Sequence, residues 1–250
     1  MRRTTYILLS LALAASGLAA GCDTSNPGFP ERQPLYRTTQ EGGPSSGERG
    51  NMMISEINFA GSVTNEGERD REDIFIELEN DHPRPINVSR WHLIVEGPAG
   101  ERTYRIPDIE KPIQPNEYFV IAKKSDGAFG EVADVVIEEL DIPLPYFEIE
   151  LRGADRELMS GAGEKEERVF TGGYDGYTVR SMERIQLIFS NNSGVSASWH
   201  AYSGLRRSDG SVDHVGLDTI AEGWRQRTLA SPGESNSTDY SGSTSSGGFE

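Results

Sequence analysis

The chain of 250 residues contains a single cysteine, Cys22. A disulfide framework is therefore excluded, and so is any cysteine-based zinc site. Helical spacing is also missing. No long stretch repeats apolar residues at i, i+3, i+4 and i+7, so long helices are not expected. Positive charge is scarce: 24 Lys and Arg stand against 40 Asp and Glu, a formal balance of −16. Such a surface repels phosphate backbones, which argues against a nucleic-acid partner. The apolar share, 35%, is low for a compact globule, so part of the chain is expected to lie outside any core. Sequence signatures of catalysis are absent as well. There is no H-E-x-x-H, no G-x-S-x-G, no phosphate-binding loop and no dinucleotide fingerprint. The four histidines, His82, His92, His200 and His214, form no close set with acids along the chain. What is abundant is Gly (28) and Pro (13), which suits a loop-rich β protein.

Two segments stand outside the globular pattern at the N-terminal side. Arg2 and Arg3 precede an apolar run from Tyr6 to Ala20, followed by Gly21 and Cys22. The run is short for a membrane span and suits the core of a signal peptide. Leu18-Ala19-Ala20-Gly21-Cys22 resembles a bacterial lipoprotein lipobox, and every position fits. That resemblance implies cleavage of 1–21, a diacylglyceryl thioether on Cys22 and acylation, palmitate included, of the new N-terminus. More than one acyl chain anchors stably, at roughly 0.8 kcal/mol per buried CH₂. The expected location is the bacterial cell envelope, lipid-anchored; Asp23 bears on which membrane without deciding it. Without Arg2 and Arg3, 22 basic residues face 40 acidic ones, a balance of −18. Residues 22–50 are rich in Pro, Gly, Ser and Thr and read as a flexible tether with a reach of about 30 Å.

From residue 51 the pattern is that of strands. Met52–Phe59 is the first run. In DIFIELEN, Ile74, Ile76 and Leu78 alternate with Phe75, Glu77 and Glu79, as expected of a strand with one face buried. Trp91, Leu93 and Val95 share a face of the next run, with Trp91 as a core plug. Further runs are Glu101–Ile106, Glu117–Lys123, Asp134–Leu140, Tyr146–Arg152, Ser181–Ser190 and Ser198–Tyr202. The intervening Val63–Glu72 is charged and reads as an exposed loop, and residues 153–176 read as a polar stretch with a short strand near Val169. The C-terminal Ser235–Glu250 is Ser-, Gly- and Thr-rich and is expected to be disordered. Eight or so short strands with frequent turns predict a β-sandwich.

The order ISEINFAGS, IFIELEN, PINVSRWHLI, IQPNEYFVIAK, FEIELRG, RSMERI, ASWH, ASPGESNS resembles the lamin-tail domain as it occurs in bacterial surface proteins. The resemblance spans about residues 53 to 236. It implies an all-β, immunoglobulin-like β-sandwich over 51–236, with long polar loops and disordered N- and C-terminal tails, the latter at 237–250. Within its motifs Glu56, Glu77, Asn80 and Trp91 are implied to be structural. Asn80 can bond its own turn as the strand ends. No coiled-coil rod precedes the domain, and the charge opposes DNA, so filament and chromatin roles do not carry over.

The expected function is that of a non-enzymatic, membrane-anchored lipoprotein presenting this domain to an envelope protein or a glycan, with no cofactor. Two alternatives stand beside it. Glu66, Glu68, Asp70 and Asp73 in the acidic insert suggest a calcium-dependent adhesion module, although their spacing departs from D-x-D-x-D-G. Glu56 and Glu77 on adjacent strands suggest the acid and base of an envelope hydrolase.

Overall fold

The computed structural model describes residues 51–169, 171–185, 198–204 and 215–238, and the backbone of 37–38 and 44–45. Strands dominate. In chain order they are β1 (Arg37–Thr38), β2 (Pro44–Ser45), β3 (Met52–Asn58), β4 (Ser62–Val63), β5 (Arg69–Asp70), β6 (Phe75–Asn80), β7 (His92–Gly97), β8 (Gly100–Arg105) and β9 (Tyr118–Ala122). They continue with β10 (Val135–Val136), β11 (Glu148–Arg152), β12 (Leu158–Gly163), β13 (Gly173–Tyr174), β14 (Val179–Arg180), β15 (Met182–Arg184), β16 (Trp199–Ala201) and β17 (Thr228–Leu229). The 3-10 turn Val215–Asp218 is the one helical element described in full. The fold is all-β.

Two sheets make the body. One has six strands in the order β10-β9-β6-β3-β15-β16, the other four in the order β12-β11-β7-β8. Their inward faces share one apolar cluster that includes Ile54, Ile57, Ile76, Leu78, Trp91, Leu93, Val95, Phe119, Ile121, Phe147, Ile149, Leu151 and Trp199. Alternation produces this: on β7 and β11 every second side chain is buried and its neighbours are partly exposed. Trp91 is 1% exposed and sits just before β7, in the core as expected.

A tight turn sets the start of β7. Trp91 N–H donates to Val88 O, which closes a four-residue turn, and Arg90 lies there at φ 66°. Arg90 N–H donates to Ile106 O while Ile106 N–H donates to Trp91 O. Two residues thus oppose one, a bulge of the kind that ordinarily takes a glycine at the left-handed position.

The six-stranded sheet departs from the one-face expectation. All six residues of β6 are buried, Phe75, Glu77 and Glu79 included. Behind this sheet lies a second apolar cluster built from Phe75, Val120, Ala122, Ala128, Phe129, Tyr202, Leu217, Ile220, Leu229 and Ala230. The chain after β16 covers that face, so a clean alternation marked two different buried environments rather than core and solvent.

Other expectations are corrected too. Val63–Glu72 is not a free loop: β4 and β5 pair as a hairpin. Thr228 Oγ1 accepts from Val63 N–H and donates to Val63 O, and Asn65 N–H donates to Gly223 O. The polar stretch 153–176 holds a six-residue strand, β12, paired with β11, whereas Val169 lies outside any strand, donating its N–H to Pro145 O and packing against the apolar core. Gly and Ser hide β12 from an apolar-pattern search: Ser160 Oγ accepts the N–H of Ile54 on β3, and a Cβ at Gly163 would stand 2.2 Å from Phe147 O. Of the run Asp134–Leu140, only Val135–Val136 form a strand, parallel to β9. A short antiparallel pair, β1 with β2, falls within the stretch read as tether. Ser237 is 5% exposed and belongs to the folded unit rather than to a tail. Residues 1–36, with Cys22, lie outside the described residues, as do 186–190 and 239–250. No described helix is long and apolar enough to cross a membrane.

Candidate functional site

The polar groups of this molecule converge on the second face of the six-stranded sheet. Cross-strand register places Glu77 of β6 opposite Glu56 of β3, Glu56 opposite Glu183 of β15, and Glu183 opposite His200 of β16. Four titratable side chains therefore lie in one row across four strands. Each of the three glutamates is fully buried and His200 is 2% exposed. A register shift between Ile54 and Glu56 makes the row possible. Ile54 and Ile57 both face the core, and the extra residue, Ser55, ends up where its hydroxyl donates to Glu77 Oε1 at 2.6 Å.

The row is closed by one segment, Ser231–Ser237, which crosses it after β17. Ser231 N–H donates to Glu56 Oε1 at 2.9 Å, and its hydroxyl donates to Glu183 Oε1. Gly233 N–H donates to Glu77 Oε2 at 2.6 Å. Ser237 gives its N–H to Glu183 at 3.1 Å from Oε1, and its hydroxyl to Oε2. Asn236 Nδ2 donates to Ser55 O at 3.0 Å and to Arg184 O at 2.8 Å, stitching the segment to β3 and β15. At the β16 end of the row, His200 Nε2 lies 3.6 Å from Glu183 Oε2 and its Nδ1 lies 2.9 Å from Ala201 O. Each glutamate thus serves as an acceptor for the main chain of a strap that has no ladder partner of its own there.

Burial, followed by the neighbouring Glu183 carboxyl, pushes Glu56 up to about 8; hydrogen bonds from Ser181 and Ser231 pull the other way. Burial and then Glu56 push Glu77 well above the usual carboxylate range. At neutral pH Glu56 holds its proton. A like-charged row sealed from water is tolerable only on such terms.

Chemically, the row can hold protons and grip the strap. Two shallow grooves, about 230 and 190 Å³, are lined instead by Arg90, Arg105 and Asp108, and by His92, Glu150, Arg152 and Arg156. Neither is lined by an acid of the row.

The acidic-insert candidates are drawn apart. Asp70 sits in an ion pair with Lys124 at 2.5 Å; burial works against ionisation, but the Lys124 ammonium holds its carboxyl below the usual range. Asp73 is buried, accepts Ala128 N–H at 2.7 Å through Oδ2, and is raised by burial. A Cβ at Gly127 would stand 2.1 Å from Asp73 Oδ1, so Gly127 makes room for that carboxylate. Glu66 and Glu68 point to solvent on the hairpin turn. No group of three or more metal-ligating side chains occurs among the described residues.

Of the residues singled out from sequence, Glu56 and Glu77 come together, while Asn80 and Trp91 serve elsewhere. Asn80 closes its own turn: Nδ2 donates to Arg84 O and Ile113 O, both at 2.9 Å, and Oδ1 accepts His82 N–H. The residues missed are Glu183, His200, Ser55 and the strap donors Ser231 and Ser237. A signal existed in the paired Ser residues of ASPGESNS, but nothing local links them to a strand 50 residues earlier. No protein-family model matches this chain, and no curated protein matches it.

Proposed function

We propose that this chain is a non-enzymatic lipoprotein of the bacterial cell envelope, anchored through Cys22, and that its folded part is a lamin-tail-like, immunoglobulin-like β-sandwich. Its role is to present that domain to an envelope protein or a glycan. The observation that carries the anchor is the position of the only cysteine, directly after Leu18-Ala19-Ala20-Gly21. The resemblance to lamin-tail domains is supported by where its motifs fall. ISEINFAGS, IFIELEN, FEIELRG and RSMERI supply β3, β6, β11 and β15, and ASPGESNS is the strap that β3, β6 and β15 receive.

The non-enzymatic reading is favoured by the burial of Glu56 and Glu77 beneath the strap, where their oxygens are already occupied by Ser55, Ser231 and Gly233. A general acid needs hydrogen-bond reach to its substrate. The engagement of Asp70 by Lys124 favours it over calcium-dependent adhesion.

Replacing Cys22 with Ser and fractionating cells tests the anchor. The variant should leave the membrane fraction; if it stays there unchanged, the anchor is refuted. Crosslinking in intact cells, followed by recovery of the chain, identifies the partner class. Calorimetry with Ca²⁺ should give neither heat nor a thermal shift.

A further inference from the structure

Among the described residues β8 is an edge of the four-stranded sheet, bonded to β7 alone. Ile106 N–H turns toward β7, where it meets Trp91 O. In an antiparallel ladder the hydrogen-bonding direction alternates along the strand. Tyr104, Arg102 and Gly100 therefore bond to β7, opposite Leu93, Val95 and Gly97. The N–H and C=O groups of Glu101, Thr103 and Arg105 point the other way, off the edge, and all three residues are exposed. They have no main-chain partner among the described residues. The strand contains no proline and its pairing with β7 runs without a register shift, so its charged side chains are the one protection it carries. The opposite edge of the same sheet, β12, differs, because Ser160 there accepts from β3.

We propose that β8 is a pairing edge for β8 of a second copy of this chain, in antiparallel register with Thr103 opposite its own equivalent. The backbone and the side chains select that register independently. Only residues 101, 103 and 105 offer main-chain groups, so each must face another of the three. Thr103 on Thr103 is the one arrangement that uses all three residues on both strands. It also sets each Glu101 opposite the partner's Arg105, on the solvent face of the sheet, twice by symmetry. Slides that centre Glu101 or Arg105 on itself set like charges opposite each other and leave most of these groups unpaired. On the other side of the strand Arg102 meets Tyr104. Arg102 is already neutralised by Asp141 at 2.8 Å, so no bare charge is carried into the joint. The strand itself bears two arginines and one glutamate on a chain whose balance is −16, so the edge escapes the general repulsion. The product is a continuous eight-stranded sheet with an isologous two-fold interface.

Sedimentation of the full chain over a hundredfold concentration range tests this. The parent should pass from monomer to dimer. Glu101→Arg and Arg105→Glu each create like-charged pairs at both ends of the joint and should weaken association by roughly tenfold or more. Mixed in equal amounts, these two variants restore opposite charges at every pair and should dimerise with each other. Thr103→Pro removes the two central N–H donors and should abolish the dimer, with circular dichroism confirming that the chain is folded. A parent that stays monomeric throughout overturns the proposal, as do single variants that associate as the parent does. Failure of the mixture to recover overturns the register.

Discussion

The two faces of the six-stranded sheet are both buried, and they are buried by different means. Toward the four-stranded sheet, β3, β6 and β9 present Ile54, Ile76, Leu78, Phe119 and Ile121 to a dry apolar layer. Toward the strap, the same strands present Glu56 and Glu77 beside Phe75 and Val120. The first face is held by area removed from water, without directional demands. The second is held by a fixed pairing of carboxyl oxygens with main-chain N–H groups and serine hydroxyls, which fails if one partner is absent. An apolar face tolerates substitutions of similar volume. The polar one specifies where the strap lies, because Ser231 must meet Glu56 and Glu183 together, Gly233 must meet Glu77, and Ser237 must meet Glu183.

The largest effect should come from the apolar side. Trp91→Ala empties a site that is 1% exposed and should cost about 3–5 kcal/mol in urea unfolding. A parental midpoint would show that the apolar face is not what holds the sheets together.

Next comes removal of the acid with most donors. Glu183→Ala leaves the hydroxyls of Ser231 and Ser237 and the Ser237 N–H without their acceptor. The expected loss is about 3 kcal/mol, since the Ser231 hydroxyl can still turn to Glu56 and each buried group left orphaned costs about 1–3. Hydrogen exchange should quicken at the amides of the strap while those of β7 and β11 keep their protection. Uniform quickening would mean that the two faces are one cooperative unit.

The third test uses pH. In Glu56 the folded-state value is about 8, raised from 4.5. Between those limits the unfolded chain loses its proton and the folded chain keeps it. The stability tied to this proton is therefore full below pH 4.5, declines as pH rises, and is gone above about 8. Glu77 adds to the same trend. Other carboxyls act in the opposite sense, Asp70 and Asp175 among them, so the parent is compared with Glu56→Gln rather than read alone. The variant should melt with a flatter profile between pH 5 and 8.5 and should gain on the parent toward the alkaline end. Parallel profiles would mean that Glu56 is ionised in the folded chain.

The smallest effect is local. Arg90→Gly relieves a left-handed residue at φ 66°, at the cost of an exposed pair with Asp108. The expected gain is about 0.5 kcal/mol. A loss of stability would show that the pair with Asp108 outweighs the strain.

Much of the apolar layer was legible in order along the chain. Phe147, Ile149 and Leu151 alternate with Glu148, Glu150 and Arg152, and the structure buries the first set and half-exposes the second. Trp91 and Asn80 were equally readable, because a core tryptophan and a turn-closing asparagine act through near neighbours. The acid row was half legible. Glu56 and Glu77 stood out as a pair on adjacent strands, yet glutamate in a period-two pattern ordinarily marks solvent, and here it marks a strap. Glu183 gave no such sign. β12 was hidden for a related reason: Ser160 and Gly163 serve close approach, not apolar burial.

Local rules act over a few residues. Strand period, turn chemistry and the all-β class follow from them, and the sequence alone determined those. Which face of β3 or β6 is buried, and by what, depends on a segment 156 to 175 residues away. Only the tertiary structure decided that Ser231–Ser237 returns over β3, β6 and β15, because a buried carboxyl and the donor that satisfies it need no proximity in sequence.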